Sequence, residues 1–212
     1  KKSSRFVRVG ALYVGDSSNT YTGNFIKAQK AIEKKFGNQV EFIPMFNVLE
    51  GNCENSLQTL VDKKCDIIFT TSYGYGDMAK EFAKKYPNIQ FCHATGDNAN
   101  IEPFVPNYHT FMGRIYEGRY TAGVVAGLKL QELIDKGQIK KEDALIGYVG
   151  AFPYAEVISG FTAFFLGVQS VVPSSKMLVK YTNSWTDFVK EKNCTKELID
   201  QGCIVISQHS DT

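Results

Sequence analysis

The chain has 212 residues, of which 43% are hydrophobic and 22% charged, with a formal net charge of +2. That is enough apolar material for one large domain or two modest ones, and the near-neutral balance gives no electrostatic case for a nucleic-acid partner. The 5 cysteines are an odd number and cannot all pair internally, and no Cys-x-x-Cys or Cys/His spacing points to a metal.

Taken in chain order, Phe6–Val14 is a continuous apolar run with β-branched residues and reads as the first strand. A helix is expected over Gly23–Phe36, ended by Gly37-Asn38. Val40–Phe46 is the second strand, and Cys53–Lys64 the second helix with Asn52 as its cap. Cys53 and Cys65 then sit at opposite ends of that helix, roughly 18 Å apart at its rise per residue, beyond disulfide reach. Asp66–Thr71 is the third strand, Gly76–Lys85 the third helix with Asp77 in its first turn, and Ile89–Ala94 the fourth strand. This βαβαβαβ order implies a parallel sheet with right-handed crossovers and helices on both faces.

A turn-rich stretch, Gly96 to Pro106, leads to Tyr108–Arg114, a short strand expected to carry the chain into a second lobe. The long helix Glu117–Lys136 places Gly118, Ala122, Gly123, Ala126 and Gly127 mostly along one side, which allows close packing against a neighbour. The second lobe then runs Leu145–Val149 (strand), Gly160–Val171 (helix), Met177–Thr182 (strand), Cys194–Gln201 (helix) and Cys203–Gln208 (strand). Between Ala144 and Ser175 only Glu156 is charged, but glycines and Pro153 interrupt the stretch, so it divides into strand, loop and helix rather than spanning a membrane.

The second half repeats the first. Val9-Gly10-Ala11-Leu12-Tyr13-Val14-Gly15 matches Ile146-Gly147-Tyr148-Val149-Gly150, and Asn52-Cys53 opening a helix matches Asn193-Cys194. The expected fold class is therefore α/β, with two Rossmann-like lobes on parallel sheets, residues 1–112 and 113–212, and a small-ligand cleft between them. The chain stops at Asp211-Thr212, directly after a strand, so the second lobe is expected to be truncated.

In open parallel sheets, ligands meet the loops beyond the carboxyl ends of the strands. Those loops are Gly15–Tyr21, Ser72–Asp77, Thr95–Asn98, Ala151–Glu156, Asn183–Asp187 and Gln208–Asp211. They supply aromatic rings, which suit a flat heteroaromatic ligand. They also supply Asp, Asn and Ser groups, which suit ring N–H, amine or ribose hydroxyl donors. They contain no Lys or Arg, so a phosphorylated ligand is not expected. Asp16 and Asp77 are equally readable as helix caps, one of Tyr73 and Tyr75 as packing filler, and His209 as structural; Trp185, the only tryptophan, is assigned to the ligand. There is no Walker loop, no Gly-x-Ser-x-Gly elbow and no full Gly-x-Gly-x-x-Gly, and 3 histidines without an acid–base pairing argue against an enzyme.

Thr71-Ser72-Tyr73-Gly74-Tyr75-Gly76-Asp77, His93-Ala94-Thr95-Gly96, the run Gly113–Gly123, Ile146–Pro153, Thr182-Asn183-Ser184-Trp185 and Gln208-His209-Ser210-Asp211 together resemble the basic membrane protein family, over nearly the whole chain. These are substrate-binding lipoproteins of ABC transporters. The resemblance implies a type I periplasmic-binding-protein fold, a purine base or nucleoside as ligand (adenine in the branch most resembled, riboflavin in another), and no cofactor. It further implies an ABC permease as partner and an extracytoplasmic place at the cell membrane, through an N-terminal lipid anchor absent from this chain. Carried over residue by residue, the ligand positions are Asp16, Tyr73, Tyr75, Asp77, Phe152, Tyr154, Trp185, His209 and Asp211. The family's first-loop aromatic falls on Asn19, with Tyr21 as its substitute. The alternatives are a ligand sensor or regulator of the same fold and, more remotely, a nucleoside hydrolase.

Overall fold

A computed structural model describes residues 6–212; residues 1–5 lie outside the described part. The chain divides into two compact units, the first ending at Gly113 and the second beginning at Arg114.

The first unit runs β1 (Val7–Leu12), α1 (Thr20–Phe36), β2 (Val40–Met45), α2 (Glu54–Asp62), β3 (Ile67–Thr70), α3 (Gly76–Lys85), β4 (Gln90–Ala94) and β5 (Tyr108–Phe111). The strands form one sheet in the order β2-β1-β3-β4-β5, parallel throughout. The stretch expected to leave this lobe is thus its fifth strand, with Tyr108 paired to Phe91. Its anchors are side chains. The Asn107 amide donates to the carbonyls of Ala83, Tyr86 and Ile89 at the end of α3, and the buried Tyr108 hydroxyl donates to Asn98 Oδ1 at 2.7 Å. The core gathers Leu12, Leu57, Leu60, Ile68, Phe82 and Phe91.

The second unit runs α4 (Ile115–Asp135), β6 (Leu145–Gly150), α5 (Ala155–Gln169), β7 (Lys176–Tyr181), α6 (Phe188–Asp200) and β8 (Val205–His209). Its parallel sheet has the order β7-β6-β8. Leu130, Ile146, Tyr148, Phe164 and Val168 form the main core, where α5 lies directly on the small-residue side of α4. Among the described residues, no helix is long and apolar enough to cross a membrane, and all five cysteines are free thiols.

Helix starts depart from the sequence reading because caps, not apolar periodicity, set them. Asn19 caps α1 by accepting from the Thr22 N–H, so the helix opens at Thr20 rather than Gly23. Asp187 caps α6 through the Lys190 N–H, which puts Cys194 inside the helix instead of at its start. Asn52 lies in a 3-10 turn and caps nothing. The internal repeat is therefore carried by other residues. In each unit the first strand of the sheet (β1 or β6) has a glycine that admits a helix leucine and the cysteine just before a neighbouring strand. A Cβ on Gly10 would lie 2.8 Å from Leu60 and 3.1 Å from the Cys65 sulfur, and one on Gly147 would lie 3.0 Å from Leu198 and 3.2 Å from that of Cys203.

Both sheets start at an interior strand. The chain passes to one side of β1 or β6 and then returns to the other, which places the loops after β1 and β3, and those after β6 and β8, beside each other at the carboxyl edge. In doubly wound sheets this reversal point is where ligands are held.

Candidate functional site

In the first unit, three loops are cross-linked at the carboxyl edge. Asp16 accepts from the Ser18 hydroxyl at 2.6 Å and its backbone N–H at 2.9 Å, and from the Asn47 amide at 3.3 Å. These bonds, led by the Ser18 hydroxyl, hold the carboxyl below its ordinary range. Tyr21 donates to the Thr71 carbonyl at 2.6 Å, tying α1 to the loop after β3. Tyr73 keeps accessible surface and donates to Asp97 at 3.2 Å. Asp77 accepts from the Asn98 amide at 3.1 Å.

Two of the expected residues are engaged inside the unit. Tyr75 has no exposed surface; its ring lies in the core and its hydroxyl donates to the Val48 carbonyl at 2.5 Å, so burial pushes the phenol far up. A ring without accessible surface offers no stacking face. Asn19 uses its side chain as the α1 cap, with its oxygen 2.8 Å from the Thr22 nitrogen.

In the second unit the rings come together. Phe152 and Tyr154 follow β6 at alternate positions and stack with centroids 4.9 Å apart and planes 14° from parallel. Trp185, from the loop after β7, stands edge-on to Phe152 at 5.5 Å and lies 6.2 Å from Tyr154. Its carbonyl accepts from the Asp211 N–H at 2.7 Å, while its indole N–H is buried without a hydrogen-bond partner. His209 ends β8, 6.4 Å from Trp185, with Nε2 at 3.5 Å from Glu156 Oε1 and both side chains largely buried.

Sequence reasoning passed over Glu156, Glu50 and Lys80 as site groups, and read Arg119 only as a nearby cation or a brace. Glu156 stands in the first turn of α5, where a carboxylate is favoured by the helix dipole; its proximity to Phe152 was the only available signal. Glu50 accepts from Gly74 and Ser72. Lys80 is buried and donates to the carbonyls of Asn98 at 2.8 Å and Ile101 at 2.7 Å. Arg119 donates to the Gln208 carbonyl at 2.9 Å. The two cations come from helices, so the loops themselves do lack Lys and Arg; the Lys80 ammonium and one terminal Arg119 nitrogen meet backbone carbonyls, while the Arg119 Nε is buried without a partner. His93 is buried under the β3 and β4 loops with Nδ1 at 2.8 Å from the Thr70 hydroxyl, and burial pushes its imidazole down to about 4. Among the described residues no group of three or more His, Cys, Asp or Glu is placed to hold a metal.

Parallel sheets with interior first strands and polar, ring-bearing loops at the carboxyl edge make up an α/β arrangement of the class suited to holding a small solute. The chain matches the family described as ABC transporter substrate-binding protein PnrA-like (Bmp) over residues 6–212, and it belongs to that family. The family is one of binding proteins, not enzymes. A purine-binding protein of Brucella abortus is 36% identical over 208 residues, covering 97% of this chain and 55% of that protein. A Haloferax volcanii protein provisionally named as an ABC transporter glucose-binding protein is 35% identical over 165 residues, covering 78% of this chain and 38% of that one. Among solved structures, an ABC transporter solute-binding protein from Aeropyrum pernix superposes with a TM-score of 0.80 at 16% identity, over 97% of this chain and 55% of that one. That likeness establishes the periplasmic-binding-protein type of fold. The chain spans about half or less of the length of these curated relatives.

Proposed function

We propose that this protein captures a purine base or nucleoside on the ring-bearing loops at the carboxyl edges of its sheets and delivers it to an ABC permease at the outer side of the cell membrane, where a lipid anchor holds it. The observation that carries the reading is the Phe152–Tyr154–Trp185 cluster with its unpartnered indole N–H. Flat rings favour a flat heterocycle, and a buried donor without a partner is favoured to meet a ligand acceptor. The 36% identity to a protein named for purine binding supports it.

On the first unit's side, Asp16, Tyr21, Tyr73 and Asp77 remain the candidate contacts. On the second, Phe152, Tyr154, Trp185, His209 and Asp211 do. Binding of this kind shifts an open–closed equilibrium and involves no covalent step. The glucose name of the second relative supports a sugar as the competing ligand class. Mass spectrometry of material released by denaturing the purified protein, followed by calorimetric titration with adenine, adenosine, riboflavin and glucose, decides between them. A protein that holds glucose and ignores purines would overturn the proposal.

A further inference from the structure

The turn after β3 is braced by a carboxylate from a different loop. Glu50 lies in the 3-10 turn Glu50–Asn52 that follows β2. Its Oε1 accepts from the Gly74 N–H at 2.8 Å and also from the Ser72 hydroxyl. The side chain lies flat against the turn: a Cβ on Gly74 would be 2.6 Å from the Glu50 carboxyl carbon. Position 74 thus has no room for a side chain while Glu50 is in place. One residue further on, the Tyr75 hydroxyl ties the same turn to the Val48 carbonyl. Tyr73 stands between the two residues that Glu50 holds, and its ring keeps accessible surface where that of Tyr75 has none.

A turn has two soft dihedrals per residue, so an aromatic carried on it is poorly directed unless other groups hold the backbone. An anionic acceptor that takes two donors on one oxygen holds it more firmly than a neutral one. Ligand binding gains when such a ring is fixed beforehand, because less freedom is lost on association. We propose that Glu50 is a positioning residue for ligand binding: acting through Ser72 and Gly74, it directs Tyr73 without touching the ligand. The inference rests on the reading of these loops as ligand walls.

Adenine titration by calorimetry and hydrogen exchange of the Gly74 amide test it together in the full chain. Glu50→Ala is expected to lower adenine affinity about tenfold, the scale of a lost charge-assisted bond, and to speed Gly74 exchange. Glu50→Gln keeps an oxygen for both donors but loses the charge, so its affinity should fall between those of the wild type and Glu50→Ala. Gly74→Ala should reproduce the loss, and adding it to Glu50→Ala should cost little more, since the clashing group is gone. Wild-type affinity in Glu50→Ala overturns the proposal. So does a Glu50→Gln protein as weak as Glu50→Ala, which would make the carboxylate a ligand contact. If the wild type binds no purine, the purine reading fails; unchanged Gly74 exchange in Glu50→Ala then overturns the brace separately.

Discussion

Phe152 and Tyr154 lie face to face, their ring centroids 4.9 Å apart and their planes 14° from parallel. Each ring therefore has one face occupied by the other. The pair acts as a single two-ring plate, with Trp185 set against its edge at 61° to Phe152. Trp185→Ala is expected to weaken purine affinity by about 1–3 kcal/mol, the scale for losing an aromatic–base contact. Calorimetry checks it, and an unchanged affinity removes Trp185 from the site.

The packing of α4 on α5 gives a prediction independent of ligand. A Cβ on Gly123 would lie 1.9 Å from the Phe164 carbonyl oxygen, and one on Gly167 would lie 2.2 Å from that of Tyr120. Both clashes are with backbone, so the helices must move apart. Gly123→Ala should destabilise the second unit by about 1–3 kcal/mol or more. Gly118, on the same helix, has nothing within 4 Å of such a Cβ. Gly118→Ala should therefore be neutral or stabilising by up to about 1 kcal/mol. Urea titrations of the two variants that agree with each other would refute this account of the small-residue side.

Tyr75 is a core residue with one polar bond. Tyr75→Phe leaves the Val48 carbonyl without its donor and should cost about 1–3 kcal/mol of stability. Because the ring is buried, purine affinity at a temperature well below unfolding should change little. A large affinity loss without a shift in the thermal midpoint would return Tyr75 to the ligand.

His93 sets a pH dependence whose sign follows from its burial. Its imidazole titrates at about 4 when folded, against 6.5 when free. Between those values the unfolded chain takes up a proton that the folded chain does not. The stabilisation is thus fully present above about pH 6.5 and is lost as pH falls toward about 4. The loss should amount to on the order of 3 kcal/mol for this group. His93→Gln cannot titrate, so its stability should fall less over that window. Parallel pH profiles for the two proteins would rule His93 out as the cause.

Much of the molecule was legible because short continuous apolar runs, separated by helical stretches of ordinary length, mark buried strands and the helices between them. The strands β1 to β4 and β6 to β8, the helix α3 and the two-unit α/β class follow from Val7–Leu12, Gly76–Lys85, Leu145–Gly150 and their neighbours. Helix starts were less legible. Asn19 and Asp187 act through single side-chain bonds to nearby N–H groups, and many polar residues near a helix start look equally able to make them. The place of β5 was decided by Asn107 and Tyr108, whose side chains bond to the Ala83 carbonyl in α3 and to Asn98 in the preceding loop.

The sequence by itself determined the class of fold, the family, the ring-rich character of the loops and their lack of Lys and Arg. Those properties depend on residue types and on spacing along the chain. Only the tertiary structure decided that Tyr75 is core while Tyr73 is not, that Phe152 and Tyr154 form one stacked plate, and that Glu50 and Lys80 hold loops other than their own. Each of those outcomes depends on which distant atoms compete for the same space or the same donor, and that competition exists only once the strands have aligned.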